Sequence, residues 1–481
     1  MSTITEPART VTVRSTVDVV VCGGGVSGCM AALAAARSGA QTLVIEGHGF
    51  LGGVLTAAMV NGVGGWQFDI DGAPLIDGIP LETITRIHLA SGHDDEHGRA
   101  FMARLARNRG APGDYRDGGL GCYWVGTNPE AAKFVYDQMM IESGVELLLH
   151  AQTVQPLVDD DRVIGVVVES KNGREAVLAQ VVIDCTGDGD IAVRAGAAYD
   201  IGRPEDGACQ PMTMMYTVGN APRPPLWFGP PEQDPEPHPL RRNRFTGAVA
   251  EARQRGIIEQ NPNDLFCAAT PVDPSDPSVC TVNFTRVQGR LSCDADALTV
   301  AEVEGRAQVQ EAIAFQQAYI PGHEQAYLIN TAAHIGIRES RRIRGDYCLT
   351  GDDVLGGAHF DDAVARGIYL LDIHNPAEIA KPSALILLDQ PYSIPYRCLL
   401  PVGIDGLLVA GRCISGDHIA LASYRVQSHA MAIGQAAGTA AALSVQQRCS
   451  PRQLDVHLLR DSLRAAGANV GDAAAGRECA R

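Results

Sequence analysis

The sequence lacks three features that would place it in a protein class at once. It has no Cys-x-x-Cys pair, although 13 cysteines are scattered through its 481 residues. Residues 1–16 contain no long apolar run, because charged residues and proline interrupt the hydroxyl-rich stretch. Basic residues are also scarce, with 39 Lys and Arg against 56 Asp and Glu and a net charge of -17.

Each of these absences excludes a class of protein. Because cysteine pairs are missing and Cys22, Cys185 and Cys413 lie in apolar segments, we expect reduced, mostly buried thiols rather than a disulfide framework or a metal site. Without an apolar run near the start, we expect neither a signal peptide nor a membrane span, and therefore a cytoplasmic protein. The acidic balance argues against a nucleic-acid partner, because a phosphate backbone favours clustered Lys and Arg.

The sequence is rich in hydrophobic residues, at 46%, which suffices for a sizeable core in two domains. Residues 17–22 are an apolar, β-branched run that ends at a glycine cluster, which predicts a buried parallel strand. Residues 27–37 are mostly alanine and predict a helix that can pack closely on a sheet. Residues 41–45 predict a second strand, and the three elements form a β-α-β unit around which the chain is organised.

The turn between the first strand and the helix carries Gly23-x-Gly25-x-x-Gly28. Gly23 permits a tight turn, Gly25 lets the backbone approach a pyrophosphate, and Gly28 lets the helix lie close to the strand. The helix N-terminus favours phosphate oxygens, and Glu46 at the end of the second strand can accept hydrogen bonds from ribose hydroxyls. Because an acid here repels a 2′-phosphate, the pattern favours FAD or NAD over NADP. The alternative is a merely glycine-rich turn.

Residues 47–65 combine many glycines with apolar side chains, so we expect them to lie against a ligand. Gly52, Gly53 and Thr56 would bring backbone N–H groups close to a cofactor. His48 is a candidate for a covalent flavin link, although an isolated histidine beside glycines is more typical of a loop.

Residues 66–127 are irregular apart from an amphipathic helix near 101–107, which is typical of a lid or a binding loop. The spacing of the histidines in this region matches no metal motif, so we expect them at the surface: His88, His93 and His97.

Regular structure resumes with a helix over 128–143 and strands over 145–150, 163–169 and 176–178, the last two joined by an Asn-Gly hairpin turn. A buried strand then leads into residues 181–190, VVIDCTGDGD, and brings Thr186 and Gly187 to the edge of the sheet that carries the first glycine motif. A cation-binding loop is the competing interpretation, but the acidic residues lack the oxygen spacing of a calcium loop.

Residues 203–389 predict an inserted second domain, because proline becomes dense and the elements are short, apart from a helix over 300–319. Trp227 and Phe228 suggest packing over a substrate cavity. Arg338 and Arg341 belong to a basic cluster that either anchors an anion or forms ordinary surface ion pairs. Polar residues at 372–376 and 392–397 are candidates for the substrate pocket.

The C-terminal region repeats the opening pattern. A strand over 406–412 ends at Gly411 and Arg412, and a helix over 425–445 follows, with small residues that permit tight packing. We expect the N-terminus of this helix to stabilise negative charge at the N1–C2=O edge of a reduced flavin. The tail after residue 460 looks dispensable.

Four segments together resemble the FAD-dependent oxidoreductase family of the glutathione-reductase-type, two-dinucleotide-fold flavoprotein class. They are DVVVCGGGVSGCMAALAAARSGAQTLVIE with the following Leu-Gly-Gly, VVIDCTGDGDIA, IGIRESRRIRGDYCLT, and YSIPYRCLLPVGIDGLLVAGRCISGDHIA with the later GQAAGTAAAL. The resemblance implies an α/β fold, with a Rossmann-type FAD-binding domain and an inserted α+β substrate domain. It also implies noncovalent FAD, held by Gly23, Gly25, Gly28, Glu46, Gly52, Gly53, Thr186, Gly187, Gly411 and Arg412.

On this basis we divide the chain into five segments. The FAD-binding domain takes residues 1–65, 128–202 and 390–481, the last including the tail. Residues 66–127 form a lid or substrate-side insertion, and residues 203–389 form the substrate domain.

The chain has no second GxGxxG motif, so the resemblance implies a flavin reduced by the substrate rather than by a nicotinamide cofactor. We predict a dehydrogenase or oxidase that transfers hydride from a small polar, hydroxylated substrate to flavin N5 and passes the electrons to oxygen or another acceptor. The predicted catalytic residues are His374 or His418 as the base, with Arg338 and Arg341. The alternatives are a flavin monooxygenase that needs an external reductase, and a non-catalytic dinucleotide-fold binding protein.

Overall fold

The structure is a computed structural model that describes residues 3–5, 7–67, 74–92, 123–222, 245–263, 266–273, 276–376 and 384–471. The strands of this part of the chain are β1 (Thr12–Cys22), β2 (Thr42–Ile45), β3 (Gly62–Trp66), β4 (Tyr123–Gly126), β5 (Glu146–Leu148), β6 (Gln152–Asp159), β7 (Arg162–Ser170), β8 (Gly173–Asp184), β9 (Tyr199–Ile201), β10 (Tyr216–Gly219), β11 (Cys267–Asp273), β12 (Asp276–Asn283), β13 (Tyr327–Thr331), β14 (Arg341–Ile343), β15 (Ala363–Gly367), β16 (Leu371–Ile373), β17 (Ala384–Ile386), β18 (Tyr392–Pro395) and β19 (Leu407–Val409). The helices are α1 (Val26–Arg37), α2 (Ile79–Ala90), α3 (Pro129–Glu142), α4 (Asp190–Arg194), α5 (Phe245–Gln254), α6 (Ala295–Tyr319), α7 (Gly351–Leu355), α8 (His418–Tyr424), α9 (Gln427–Gln447) and α10 (Val456–Ala465).

The main sheet carries the glycine motif at the carboxyl ends of its parallel strands. These strands lie in the order β5, β2, β1, β8, β19. The buried valines at positions 19–21 pair with β2 on one side and with β8 on the other, and α1 and α9 pack on these strands and on each other. β8 also continues into an antiparallel meander with β7 and β6. This arrangement is the predicted Rossmann-type α/β fold.

A second sheet lies in the region that we predicted to be inserted. Its antiparallel strands follow the order β11, β12, β10, β13. This sheet and α6 contribute to a separate core in which the rings of Phe266, Phe284 and Phe315 are 5.3 to 5.8 Å apart. Elements after residue 340 contribute Ile343 and Leu371 to the main core instead. The division at residues 203 and 389 stays a prediction.

Several predicted elements are confirmed, and others differ from the prediction. The helices predicted over 27–37 and 128–143 are α1 and α3. The strand predicted over 176–178 and the buried strand predicted in 181–190 are one strand, β8, because Ala179 between them pairs with Val17 of β1. We did not predict β6, because its polar and apolar residues alternate too little to indicate a strand. In the structure it is a strand that pairs with β7.

The predicted lid contains a helix that we did not expect. α2 begins beside Pro80 and buries Ile84 and Ile87 on one face. His88 lies on the same helix and is buried, with Nδ1 3.0 Å from the carbonyl oxygen of Gly126, so our expectation of a surface histidine was wrong. The helix predicted near 101–107, His93, His97, Trp227 and Phe228 lie outside the described residues.

The helix predicted over 425–445 is α9, which begins and ends two residues later, and a shorter helix that we did not predict, α8, lies directly before it. The two helices are separate because Val426, the N-cap of α9, has an extended backbone, whereas Arg425, the C-cap of α8, is still helical. Two glycines of α9 allow its close packing on α1, since a Cβ at Gly434 would lie 2.1 Å from the carbonyl oxygen of Ser27 and one at Gly438 would lie 2.0 Å from that of Ala31. Within the described ranges, no helix is both long enough and apolar enough to cross a bilayer.

Candidate active site

The glycine turn between β1 and α1 has two closely packed positions and one open position. A Cβ at Gly23, which has φ +98°, would lie 2.6 Å from the carbonyl oxygen of Cys185. A Cβ at Gly28 would lie 1.9 Å from the carbonyl oxygen of Gly23. At Gly25 the nearest atom would be the Cα of Gly53, at 3.9 Å. The N-terminus of α1 therefore has a cradle that a side chain at Gly25 would fill.

Glu46 lies at the end of β2 and is held against this turn. Its Oε2 accepts a hydrogen bond from the Gly24 N–H at 2.7 Å, and its Oε1 accepts one from the His48 N–H at 2.9 Å and lies 2.8 Å from His48 Nδ1. Burial alone would raise the pKa of Glu46, but the hydrogen bonds from His48 and Gly24 bring it below its ordinary value. The carboxylate is therefore charged at neutral pH and fixed beside the cradle. Noncovalent attachment of FAD stays a prediction, and a covalent link at His48 stays its alternative.

The second glycine pair, Gly52 and Gly53, lies directly on the turn. The Gly52 N–H donates to the carbonyl oxygen of Gly24 at 2.8 Å, and a Cβ at Gly53 would lie 2.8 Å from the Cα of Gly25. Thr56 donates its hydroxyl to the carbonyl oxygen of Leu51 at 2.7 Å, which stabilises the loop. The fold thus joins the two glycine segments that the sequence singled out.

The end of β8 reaches the same edge of the sheet. Asp184 is fully buried and accepts hydrogen bonds from the backbone and hydroxyl of Thr186 and from the N–H groups of Ile191 and Ala192. Burial raises the pKa of Asp184, and these donors oppose the rise. Asp184 therefore fixes the Thr186 turn to the start of α4.

Two arginines that we predicted to be site residues, Arg341 and Arg412, bind the acidic residues that follow the Thr186 turn. Arg412 Nη2 lies 2.6 Å from Asp188 Oδ1, and a Cβ at Gly187 would lie 2.9 Å from the same nitrogen. Arg341 donates from Nε to the carbonyl oxygen of Asp188 at 2.8 Å and pairs with Asp190. Because both carboxylates face guanidinium groups, the geometry disfavours the alternative of a cation-binding loop.

Several buried polar atoms where α9 begins and β3 ends have no hydrogen-bond partner in the part of the chain that the structure describes. Gly411, with φ +90°, lies beside Ser27 at the start of α1, and Gly65 of β3 lies against Ser428, since a Cβ there would be 2.3 Å from Ser428 Oγ. The unpaired atoms are Trp66 Nε1, Gln67 Oε1, Gln427 Oε1, Ser428 Oγ and His429 Nε2. They include donors and acceptors, so a ligand that offers both kinds of group would satisfy them.

A buried charged group surrounds the predicted catalytic residue His418. His418 Nδ1 lies 2.8 Å from Glu339 Oε1, which also accepts from Arg342 Nη1 at 2.6 Å. Glu339 Oε2 accepts from the backbone N–H of Gln210 at 2.9 Å. This carboxylate holds the orientation of the His418 ring.

The other predicted base, His374, lies beside Asp372. His374 Nε2 is 3.2 Å from Asp372 Oδ2, and Arg425 Nη2 is 3.5 Å from the same oxygen. Burial alone would raise the pKa of Asp372, but the charges of His374 and Arg425 bring it well below its ordinary value. Burial, together with the charges of Arg338 and Arg286, lowers the pKa of His374 to about 4, although Asp372 acts in the opposite direction.

Arg338 lies in this second group rather than with Arg341. Its Nη1 donates to the carbonyl oxygen of Pro211 at 2.8 Å and to Thr213 Oγ1 at 2.7 Å, and Arg286 donates to the same hydroxyl. Arg397, a pocket candidate from the sequence, lies instead at the surface in an ion pair with Asp362.

The groups around His418 and His374 include four residues that the sequence did not single out as members of a site. They are Gln210, Arg286, Glu339 and Arg425. Arg286 and Gln210 stand in stretches without a motif. A basic cluster did mark the neighbourhood of Glu339, yet nothing local indicated that an acid within it is buried.

Comparison with known proteins identifies the family. Residues 18–463 match the family described as FAD dependent oxidoreductase. The chain belongs to this family. The oxidoreductase is therefore an FAD-dependent enzyme, as predicted, while the narrower glutathione-reductase-type class stays a prediction. The sequence of this oxidoreductase matches no curated protein.

Three of the solved structures similar to this oxidoreductase share little sequence with it. A geranylgeranyl bacteriochlorophyll reductase-like protein from Thermoplasma acidophilum shares 11% identity, with 95% of this chain and 94% of that chain covered and a TM-score of 0.43. The p-nitrophenol 4-monooxygenase of Pseudomonas putida DLL-E4 shares 11%, covering 96% and 91%, with a TM-score of 0.43. The myxobacterial chondrochloren halogenase shares 14%, covering 94% and 79%, with a TM-score of 0.43. Similarities this weak carry no argument about the reaction.

The residues of the site fit FAD. The open cradle at Gly25 and the buried N-terminus of α1 suit a pyrophosphate, because backbone N–H groups there can receive anionic oxygens. Glu46 beside the cradle suits the adenosine ribose. The unpaired donors and acceptors at the start of α9 suit the edge of an isoalloxazine ring, which offers both kinds of group.

Proposed function

We propose that this oxidoreductase is a dehydrogenase or oxidase that removes hydride from a small polar, hydroxylated molecule. The observation that carries the proposal is the Asp372–His374 pair, with 3.2 Å between Oδ2 and Nε2. Bound FAD would supply the two-electron acceptor, with hydride arriving at N5. The electrons would leave to oxygen or to another acceptor.

His374 is the base in this proposal. Because burial lowers its pKa to about 4, the imidazole is neutral at pH 7 and can accept the proton of a substrate hydroxyl. The neighbouring Asp372 stabilises the positive charge that the ring then acquires. His418, held by Glu339, is the alternative base, and the two histidines are linked through the backbone and side chain of Gln210.

The predicted residues of the glycine turn and Glu46 act on the cofactor. We assign the pyrophosphate to the turn at Gly23, Gly25 and Gly28, and the ribose to Glu46. Arg341 and Arg412 hold the turn at Thr186 rather than contacting substrate. We also propose the domain division given above, the glutathione-reductase-type class, a small-molecule substrate as the partner and a cytoplasmic location.

Anaerobic screening of hydroxylated compounds for bleaching of the flavin absorbance tests this function. A substrate should reduce the flavin in the parent protein, and His374→Gln should slow that reduction by about a hundredfold or more while FAD stays bound. The matched variant His418→Gln should slow it less.

Two results would contradict the proposal. If both variants reduce at the parent rate, neither histidine is the base. If no compound bleaches the flavin, while an external reductase and oxygen together yield a hydroxylated product, the enzyme is a monooxygenase.

A further inference from the structure

Two buried donors beside the Asp372–His374 pair have no hydrogen-bond partner among the described residues. Gln210 is 2% exposed, and its Nε2 has none. Arg425 is mostly buried, and its Nε has none either. A buried donor left unpaired is costly, so such atoms point to a ligand.

The two residues form one unit. Arg425 Nη2 lies 3.4 Å from Gln210 Oε1 and donates to the carbonyl oxygen of Asp372 at 3.0 Å. The same Gln210 Oε1 accepts from the His374 backbone N–H at 3.2 Å. Gln210 therefore joins the arginine to the residue that we propose as the base.

The chemistry of the unpaired atoms selects the ligand. Both are N–H donors, so the ligand must supply acceptor oxygens, and a guanidinium group binds carboxylates most strongly. Arg338 also lies close to this unit, because it donates to Pro211 and Thr213, which follow Gln210 in the chain. Its positive charge lowers the pKa of both His374 and Asp372. The site therefore favours an anion over a neutral acceptor.

We propose that Arg425 and Gln210 bind the carboxylate of the substrate, which makes the substrate a 2-hydroxy acid. Gln210 Oε1 accepts from both Arg425 Nη2 and the backbone N–H of His374, so the carboxylate site adjoins the proposed base, and for this reason we infer a hydroxyl on the neighbouring carbon. This proposal rests on the proposed function and adds to it the substrate class.

Binding of carboxylates that cannot be oxidised tests the site directly. Oxalate titrated into the FAD-loaded enzyme should perturb the flavin absorbance in a saturable way, and neutral oxamide should not. Arg425→Met should weaken oxalate binding at least tenfold, Gln210→Leu should weaken it severalfold, and Arg425→Lys should restore part of the loss.

The control is Arg344→Met, because Arg344 is an exposed arginine that pairs with Asp200. This variant should bind oxalate as the parent does. FAD content and melting temperature are measured for each variant. If Arg425→Met does not fold, Gln210→Leu, which is close in shape to the parent, decides the outcome.

The outcomes separate this inference from the proposed function. If hydroxy amides bleach the flavin as fast as the 2-hydroxy acids, the function stands and the carboxylate site is wrong. If oxalate binds in an Arg425-dependent way but no 2-hydroxy acid bleaches the flavin, the site stands and the function is wrong. Unchanged oxalate affinity, with a shifted ligand-free flavin spectrum in Arg425→Met, would mean that these donors serve the flavin, which would overturn the inference.

Discussion

Glycines of one motif tolerate a side chain to very different degrees. At Gly25 a Cβ would have no atom closer than 3.9 Å, whereas at Gly28 it would lie 1.9 Å from a backbone oxygen. Gly25 is therefore required for the ligand, and Gly28 for the contact between helix and strand.

This contrast leads to a paired prediction. Gly25→Val should fold with a melting temperature close to that of the FAD-free parent and bind no FAD, because the branched side chain fills the cradle. Gly28→Ala should lower the free energy of unfolding by about 1–3 kcal/mol or more, since the backbone must move. Thermal melts of the FAD-free proteins and the flavin-to-protein absorbance ratio measure both effects. A Gly25→Val protein that remains yellow would contradict the assignment.

His429 makes stability depend on pH. Burial lowers its pKa to about 4, against 6.5 in the unfolded chain. Between pH 4 and 6.5 the unfolded chain binds the proton and the folded chain does not. The contribution of neutral His429 to the free energy of unfolding is therefore complete above pH 6.5 and is lost as the pH falls to 4. The gap between the two pKa values corresponds to about 3 kcal/mol.

His429→Asn should therefore flatten the fall in the free energy of unfolding between pH 6.5 and 4. Urea unfolding at several pH values measures it. The exposed His457 is the control, and His457→Asn should leave the profile unchanged. An equally steep profile in both variants would assign the acid sensitivity to other groups.

At the scale of elements, the position at which α9 begins decides how its dipole can be tested. The sequence placed this N-terminus near Arg425, so that Ser423, two residues earlier, would be a natural position for a probe charge. The structure places the start at Gln427, and Ser423 is buried in α8, where it donates to the carbonyl oxygen of Tyr369. A charge at Ser423 would break that contact without entering the first turn of α9.

The same substitution at the two ends of α9 makes a better test. Gln427→Glu places a carboxylate in the first turn, beside the unpaired atoms, and should lower the flavin potential and weaken sulfite binding. An effect of about 1.4 kcal/mol would correspond to about 30 mV. Gln447→Glu, at the exposed far end, should change neither. Equal potentials in the two variants would mean that α9 does not point at the flavin.

At the scale of the molecule, the assigned FAD contacts come from segments far apart in the chain. The glycine turn near residue 25, the Thr186 turn and the Gly411 turn meet only in the folded sheet. Any ligand that binds the folded state alone stabilises it by mass action, by about 4 kcal/mol at a thousand times its dissociation constant.

We therefore expect excess FAD to raise the melting temperature of the FAD-free protein by several degrees, and flavin release to coincide with unfolding. Circular dichroism and flavin fluorescence recorded in the same melt compare the two events. Gly25→Val should not respond to FAD. Release of flavin well below the unfolding transition would show that the three segments do not hold it jointly.

Local patterns along the chain were enough to predict the β-α-β unit and the glycine turn, while the FAD-dependent oxidoreductase family was indicated by the resemblance of four segments. Strand and helix periodicity, and the steric freedom of glycine, depend on neighbouring residues, so they can be read without a fold. The helix that follows Asn128 was predicted for the same reason, because its N-cap is a local contact. The side chain of Asn128 accepts from the backbone N–H of Glu130, two residues later.

Only the tertiary structure determines which polar residues of the candidate site contact each other. Gln210 forms hydrogen bonds with Glu339, which is 129 residues away in the sequence, and with Arg425, which is 215 residues away. Nothing near Gln210 in the sequence indicates these partners, because a buried polar group is satisfied only by what the packed sheets and helices bring beside it. The separation of Arg338 from Arg341, three residues apart but in different groups, has the same origin.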